Sequence, residues 1–230
     1  MGRARVRSIL LPRLVLVADG FVSGRASMPA AEVRARVIQA VQAGIAWVQL
    51  RDYGSEGDEF RDAALQFAEQ LRSIHPSILL SLSRRPDLAQ GMAMGVHTGA
   101  DGPSTDEARD VVGPLMPVGY SAHSPEEAEE AAHTSNYIFF GPVYSTTTHF
   151  DRTPVGLDAL ADACRRAMPR PVYAIGGITP ERAEEVHAAG AYGAAVLGGI
   201  LDAEDVGATV AAYLQALRPP SPTLDHPLHA

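Results

Sequence analysis

The chain alternates short apolar runs with longer stretches in which apolar residues recur at helical spacing. Each long stretch, such as Ala30–Ala43, has the period of an amphipathic helix. The short runs are apolar throughout, as is typical of parallel strands that are covered on both faces. They predict eight strands, at Leu14–Asp19, Trp47–Arg51, Ile78–Ser83, Gly95–Gly99, Pro117–His123, Tyr137–Val143, Val172–Gly176 and Gly193–Gly198.

Eight strand–helix repeats predict a single-domain α/β fold, the (β/α)8 TIM barrel. A doubly wound open sheet is the main alternative, but it usually has fewer strands, and no G-x-G-x-x-G segment follows the first strand. We expect the barrel to span residues 14–217, after an N-terminal extension at 1–13 and before a Pro-rich tail at 218–230. Functional residues should then follow the carboxyl ends of the strands.

Composition narrows the possible chemistry and the possible partners. All 19 basic residues are arginine, which excludes Schiff-base and P-loop mechanisms that need a lysine amine. The net charge of -8 argues against a nucleic-acid partner. The single cysteine, Cys164, fits a reducing cytoplasm, and no apolar run is long enough to predict a transmembrane helix.

Polar side chains end several of the predicted strands. A neutral His123 could move protons near pH 7, although a structural histidine fits this position equally well, and we interpret His97 as structural. An arginine at a strand end needs an anionic partner, which for Arg51 is a ligand, Asp19 or Asp52. The strand-end candidates are Gln49, Arg51, Ser83, His97, Ser121 and His123.

Glycine pairs follow the last two predicted strands, and a hydroxyl-rich loop follows the sixth. Glycines ahead of a helix let backbone N–H groups approach a phosphate, although tight turns would also explain them. The loop offers hydroxyls and a histidine to an anion, although a plain polar loop is the alternative. The residues are Gly176, Gly177, Gly198 and Gly199 in the pairs, and Thr146, Thr147, Thr148 and His149 in the loop. No set of His, Cys, Asp and Glu has the spacing of a metal site.

Five segments, in order along the chain, resemble the thiamine phosphate synthase/TenI family. They are VQLRD at 48–52, GVHTGADGP at 95–103, GYSAHSPEEAEEA at 119–131, YIFFGPVYSTTTH at 137–149 and PVYAIGGITPERAEEVHAAGAYGAAV at 171–196. The last three segments are specific, and the resemblance extends over almost the whole predicted barrel. It implies a (β/α)8 barrel, in agreement with the fold predicted from periodicity.

The resemblance implies one of two activities. A synthase joins hydroxymethylpyrimidine diphosphate to a thiazole phosphate, with Mg²⁺ on the diphosphate. Where the synthase has lysines, this chain has Tyr53 and His149, and where it has metal-binding carboxylates, this chain has Arg84 and Gly102. Other positions that line the synthase site are retained, at Gln49, Arg51, Ser121, Thr146 and Thr148.

TenI-type members are thiazole tautomerases that need no metal, and their general acid/base corresponds to His123 here. We therefore expect a tautomerase that aromatises a carboxythiazole phosphate by means of His123, without a cofactor. Its substrate would contact Gln49, Arg51, Ser83, Ser121, Thr146, Thr148 and His149. Its phosphate would lie on Gly176, Gly177, Gly198 and Gly199.

Two alternatives remain open. The first is the synthase itself, with Mg²⁺ and with Asp101 and Arg84 in an altered diphosphate site. The second is a non-catalytic regulator that binds a phosphate ligand. In each case the expected partner is a small phosphorylated molecule rather than a nucleic acid or a membrane. Whether the chain forms a homo-oligomer also remains open.

Overall fold

The chain forms a closed barrel of parallel strands that is surrounded by helices. A computed structural model describes residues 11–25, 28–55, 57–146 and 153–218. Each strand pairs with its neighbours in chain order, and β8 pairs with β1, which confirms the predicted α/β barrel. The strands are β1 (Leu14–Asp19), β2 (Trp47–Arg51), β3 (Leu79–Ser83), β4 (Gly95–Thr98), β5 (Val118–Ala122), β6 (Tyr137–Phe140), β7 (Val172–Ile175) and β8 (Gly193–Val196).

A helix follows every strand, and two follow the last one. Their bounds are α1 (Ala30–Gln42), α2 (Gly57–Ile74), α3 (Pro86–Gly91), α4 (Thr105–Val112), α5 (Pro125–Thr134), α6 (Gly156–Arg166), α7 (Pro180–Ala188), α8 (Gly198–Leu201) and α9 (Val206–Ala216). The eighth strand was predicted to continue to Gly198. It ends at Val196 instead, because Gly198 and Gly199 begin the short helix α8.

Aromatic side chains fill the inside of the barrel. The Trp47 ring packs edge-on against Tyr137 and Tyr173, with ring centroids 4.7 and 5.5 Å apart. Gly119 makes room for this cluster, because a Cβ atom there would lie 2.1 Å from Cζ of Tyr137. The second apolar layer lies between the strands and the helices and includes Leu16, Val48 and many others. The packed interior leaves the carboxyl end of the strands as the place for a site.

The residues before β1 close the amino end of the barrel. Hydroxyl groups of Tyr173 and Tyr192 donate hydrogen bonds to the carbonyl oxygens of Pro12 and Leu11, at 2.8 and 2.6 Å. Most of the predicted extension (residues 1–10) and of the predicted Pro-rich tail (residues 219–230) lies outside the described residues. In the part of the chain that is described, no helix combines the length and the apolar character needed to cross a bilayer.

Candidate active site

Two adjoining cavities open at the carboxyl ends of the strands. The first has a volume of about 190 Å³ and reaches from β2 across β3, β4 and β5 to Phe139 and Ile175. The second has a volume of about 470 Å³ and extends outwards over α2. Both cavities are lined by Arg51, Tyr53, Ser83 and Arg84. The first also brings together Gln49, Ser121 and His123, which were predicted as site residues from their places in the sequence.

Two guanidinium groups lie against the Tyr53 ring at the wall shared by the cavities. Cζ of Arg51 lies 5.2 Å from the ring centroid, and Cζ of Arg84 lies 5.5 Å from it. Arg51 is paired with Asp19 through two hydrogen bonds of 3.0 and 3.1 Å, so Asp19 is the partner that the sequence left undecided. Asp52 instead accepts hydrogen bonds from the backbone of Val22, Ser23 and Gly54.

His97 lies at the floor of the first cavity and holds Ser121 in place. Its Nε2 atom is 2.8 Å from Oγ of Ser121, and its Nδ1 atom is 3.2 Å from the Tyr137 hydroxyl. The Phe139 ring stacks on the imidazole, with centroids 4.1 Å apart. His97 is buried, as the interpretation as a structural residue requires. Its hydrogen bond to Ser121 nevertheless connects it to a residue that lines the cavity.

Hydrogen bonds inside the barrel connect several strands to Ser121. The indole N–H of Trp47 can only donate, and it donates to Oγ of Ser81 at 3.1 Å. Burial raises the pKa of Tyr137, so its phenol stays protonated. The hydroxyl groups of Tyr137 and Ser121 lie at Nδ1 and Nε2 of His97, and the tautomer of the ring sets which group donates in each pair.

Acid pH is expected to destabilise the protein through His97. Burial first, and then the charges of Arg51 and Arg84, lower the pKa of His97 from 6.5 to about 3. Between these values the unfolded chain binds a proton that the folded protein does not, so the free energy of unfolding falls as the pH decreases. The loss is about 1.4 kcal/mol per pH unit, or about 2 kcal/mol between pH 6.5 and about pH 5.

Urea unfolding of the wild type and of His97→Gln over this pH range measures the effect. The variant should be less stable at neutral pH and should lack this part of the pH dependence. Equal pH slopes for the two proteins would show that the pKa of His97 is not lowered by folding.

Gln49 presents an unused acceptor to the cavity. The side chain is 3 % exposed, and among the described residues its Oε1 atom has no hydrogen-bond partner. A buried amide oxygen of this kind is costly unless a donor satisfies it. The side chain therefore has the properties of a group that accepts a hydrogen bond from a bound molecule.

His123 lies at the rim of the first cavity, directly after β5. Its Nδ1 atom is 2.5 Å from the carbonyl oxygen of Gly141, and its backbone N–H donates to Oε2 of Glu127 at 2.7 Å. A carbonyl oxygen can only accept, so the ring proton lies on Nδ1 in the neutral form. Nε2 is then the atom that would accept a proton or a hydrogen bond.

The predicted phosphate-binding glycines lie at the barrel mouth, after β7 and β8. Gly176 and Gly177 have φ angles of +95° and +65°, which require glycine. Gly198 and Gly199 form the first turn of α8, whose first N–H groups have no acceptor within the helix. TIM barrels commonly bind phosphate between these two loops and a short extra helix. The glycines do not line either cavity, but Gly176 directly follows Ile175, which does.

The structure describes only part of the loop that follows β6. Thr146 is its last described residue, whereas Thr148 and His149, both predicted to contact substrate, lie outside the described residues. The predicted role of this loop therefore stays a prediction.

The carboxylates near the cavities do not form a magnesium site. Asp19 is bonded to Arg51, Asp52 caps a backbone turn, and Asp101 contacts Arg84 at 3.4 Å. Within the described ranges, no group of three or more His, Cys, Asp and Glu side chains is placed to hold a metal ion. Mg²⁺ on a phosphorylated substrate is usually held by one or two protein carboxylates, with phosphate oxygens and water as its other ligands. The carboxylates here are engaged by other groups, and the adjacent guanidinium of Arg84 repels a cation. The residues present do not fit the metal that the resemblance implies for a synthase.

Sequence reasoning missed two features of the site. Tyr53 was interpreted only as the replacement of a lysine found in the synthase. In the structure, the guanidinium groups of Arg51 and Arg84 both lie over its ring. The link from His97 to Ser121 was also missed, because it joins side chains of neighbouring strands. The sequence did contain a signal for this hydrogen bond, because His97 and Ser121 are both polar residues near the ends of neighbouring strands.

The chain matches known proteins over most of its length. The family model for thiamine monophosphate synthase (TMP-TENI) matches residues 20–200. A thiamine-phosphate synthase of Koribacter versatilis is 36% identical and covers 83% of this chain and 90% of its own. A thiamine phosphate pyrophosphorylase structure from Pyrococcus furiosus has a TM-score of 0.74 at 25% identity, with coverage of 89% of this chain and 95% of the other.

Some relatives are much longer than this chain. The thiamine-phosphate synthase of Gloeobacter violaceus is 39% identical over 79% of this chain, but the match covers 53% of that protein. The chain thus spans about half the length of several curated relatives that it matches.

These relatives correct the expected activity. They are named thiamine-phosphate synthases, at 35 to 39% identity over most of this chain, so the tautomerase expectation is wrong. That expectation equated the absence of lysine and of metal-binding carboxylates with the loss of a diphosphate site. It overlooked that Arg51 and Arg84 line the cavity and supply positive charge to which a diphosphate can bind. By its match to the family model and to these relatives, the chain belongs to the thiamine monophosphate synthase (TMP-TENI) family.

Proposed function

We propose that the chain forms thiamine phosphate by joining hydroxymethylpyrimidine diphosphate to a thiazole phosphate. The observation that carries the proposal is a cavity with two guanidinium groups, Arg51 and Arg84, in its wall, at the same end of the barrel as the glycine-rich loops that follow β7 and β8. Two phosphorylated substrates need two such anion-binding regions. The names of the curated relatives support the same reaction.

The two anion-binding regions follow different strands at the barrel mouth. The arginine pole, Arg51 and Arg84, follows β2 and β3, and the glycine pole, Gly176, Gly177, Gly198 and Gly199, follows β7 and β8. In the closed ring of eight strands, β3 and β7 are four strands apart, whereas only β1 separates β8 from β2. This arrangement favours the diphosphate at the arginine pole and the thiazole phosphate at the glycine pole.

The reaction is a substitution at the methylene carbon of the pyrimidine. The bond between that carbon and the diphosphate oxygen breaks, and the electron pair leaves with the diphosphate. The thiazole nitrogen supplies the pair for the new C–N bond. Because negative charge grows on the leaving diphosphate, fixed positive charges beside it stabilise the transition state more than the ground state.

Uncharged groups in the cavity would orient the two heterocycles. The Oε1 atom of Gln49 would accept a hydrogen bond from a ring substituent, and the Ser121 hydroxyl, aligned by His97, would form another. Ser83 and His123 would contact substrate at the rim. Carbon–nitrogen bond formation needs no proton transfer to the ring, so His123 is proposed here as a hydrogen-bonding group.

Incubation with both phosphorylated precursors tests this function. We expect thiamine phosphate and pyrophosphate in equal amounts, identified by mass spectrometry, and no pyrophosphate release when the thiazole phosphate is omitted. The assay is run once with MgCl₂ and once with EDTA. Product in either condition supports the proposed reaction, whether or not the reaction needs Mg²⁺. Tight binding of both precursors without product would contradict the proposal and indicate a phosphate-binding regulator.

A further inference from the structure

We propose that Arg84 takes the place of a bound divalent cation, so that the arginine pole holds the diphosphate directly. This inference rests on the proposed function, and it concerns how that function is carried out. It starts from the disagreement between the residues of the cavity and the metal site expected of a synthase. Arg84 lines both cavities, next to Arg51 and Tyr53.

The Tyr53 ring brings two positive charges together at one place. Both guanidinium groups lie within 5.5 Å of the ring centroid, where the electron-rich face attracts cations. Both arginines line the two cavities, and the Arg84 side chain is 37% exposed whereas that of Arg51 is 12% exposed. Two guanidinium groups held in this way match the two phosphoryl groups of a diphosphate, because a planar guanidinium binds phosphate oxygens in pairs.

The Arg84 side chain lies against the place of a lost carboxylate. A Cβ atom at Gly102 would lie 3.2 Å from Cγ of Arg84 and 2.8 Å from Oγ1 of Thr98. A side chain at position 102 would therefore make Thr98 shift and would press on the stem of Arg84. The two departures from the synthase pattern, an arginine at 84 and a glycine at 102, thus lie in contact with each other. Together they replace acidic ligands by a fixed cation.

The backbone and the surroundings keep this cation directed at the cavity. Arg84 has a φ angle of +59°, unusual for a residue with a side chain, and its N–H donates to the carbonyl oxygen of His97 at 2.8 Å. Its one ion pair within the described residues is to Asp101, at 3.4 Å, and the Asp101 side chain is 75% exposed. A long contact with an exposed carboxylate neutralises little of the charge. An incoming diphosphate can displace Asp101.

Calorimetric titration with inorganic pyrophosphate tests the inference without any turnover. We expect the wild type to bind pyrophosphate in EDTA, and Mg²⁺ to change the dissociation constant by less than about threefold, which is below 1 kcal/mol. Arg84→Gln should weaken binding by about tenfold to a hundredfold, the usual effect of losing a charged hydrogen-bonding partner. Arg165→Gln removes the same charge from the exposed surface of α6 and should bind like the wild type.

A second variant reverses the proposed exchange. Arg84→Asp should lose pyrophosphate binding in EDTA. It should regain part of the binding when Mg²⁺ is added, because the new carboxylate at position 84 then lies close to that of Asp101. Thermal melting of each variant separates weak binding from unfolding. Wild-type binding that depends on Mg²⁺, or an Arg84→Gln variant that binds normally, would overturn the inference.

The outcome is distinguishable from failure of the proposed function. Product formation that stops in EDTA would overturn the inference and leave the function standing. Pyrophosphate binding in EDTA without product under any condition would uphold the inference and reject the function.

Discussion

Replacement of Arg51 by methionine will lower the rate of synthesis by about a hundredfold or more and destabilise the fold. Arg51 lies in both cavities, and its charge is fixed by two hydrogen bonds to Asp19. Loss of one such charge opposite a developing anion lowers kcat/KM by about a hundredfold to a thousandfold. The Asp19 carboxylate, 20% exposed, is left without its partner. Breaking a largely buried ion pair in this way costs about 3 kcal/mol.

The double variant Asp19→Leu, Arg51→Met separates the two effects. Two apolar residues can replace a buried ion pair at little cost, so the free energy of unfolding should return to within about 1 kcal/mol of the wild type. Synthesis should remain slow, because the positive charge is still missing. Pyrophosphate release gives the rate and urea unfolding gives the stability. Wild-type activity in the stable double variant would show that Arg51 serves only the fold.

Substitution of Gly177 by alanine will sharply weaken binding of the thiazole phosphate. The φ angle of +65° is unfavourable for alanine, and its Cβ atom would lie 2.4 Å from the carbonyl oxygen of Ser145 and 2.9 Å from Cβ of Tyr144. Since a backbone oxygen cannot move aside alone, the loop after β6 must shift away from the loop after β7. We expect a destabilisation of about 2 kcal/mol and a dissociation constant raised more than about tenfold.

Gly113→Ala is the matched control for this variant. Gly113 has a φ angle of +80°, but a Cβ atom there meets nothing within 4 Å, and the residue ends α4, far from the strand ends that carry the site. Its substitution should cost about 1–3 kcal/mol from the backbone alone, because φ of +80° with ψ of 175° is a conformation that essentially only glycine adopts. Binding and synthesis should stay normal. Calorimetry with the thiazole phosphate compares the two, and equal binding by Gly177→Ala and Gly113→Ala would exclude the glycine pole.

The fold could be predicted from the sequence because each element carries its own period. β1 and β2 begin and end at the predicted residues. The short helix α8 could not be predicted in the same way, because four residues led by two glycines show no amphipathic period. Its formation depends on packing against the rest of the barrel.

The sequence could predict only those cavity residues that stand at the ends of strands. Gln49, Arg51, Ser121 and His123 were expected to lie together because the carboxyl ends of barrel strands meet at one place, and they do line one cavity, whereas their roles stay predictions. The hydrogen bonds between Trp47 and Ser81 and between His97 and Ser121 depend on the register between strands, which the sequence does not specify. The expected activity was wrong for a related reason, since the joint position of Arg51 and Arg84 appears only in three dimensions.

The central claim is that the barrel mouth binds two phosphate groups at two separate poles. A crystal structure with thiamine phosphate and pyrophosphate, grown with Mg²⁺ present, tests it most directly. We expect pyrophosphate within hydrogen-bonding distance of Arg51 and Arg84, and the ester phosphate on the backbone N–H groups of Gly177 and Gly199. Phosphate groups bound away from both poles, or pyrophosphate held through a metal ion without either arginine, would contradict the account.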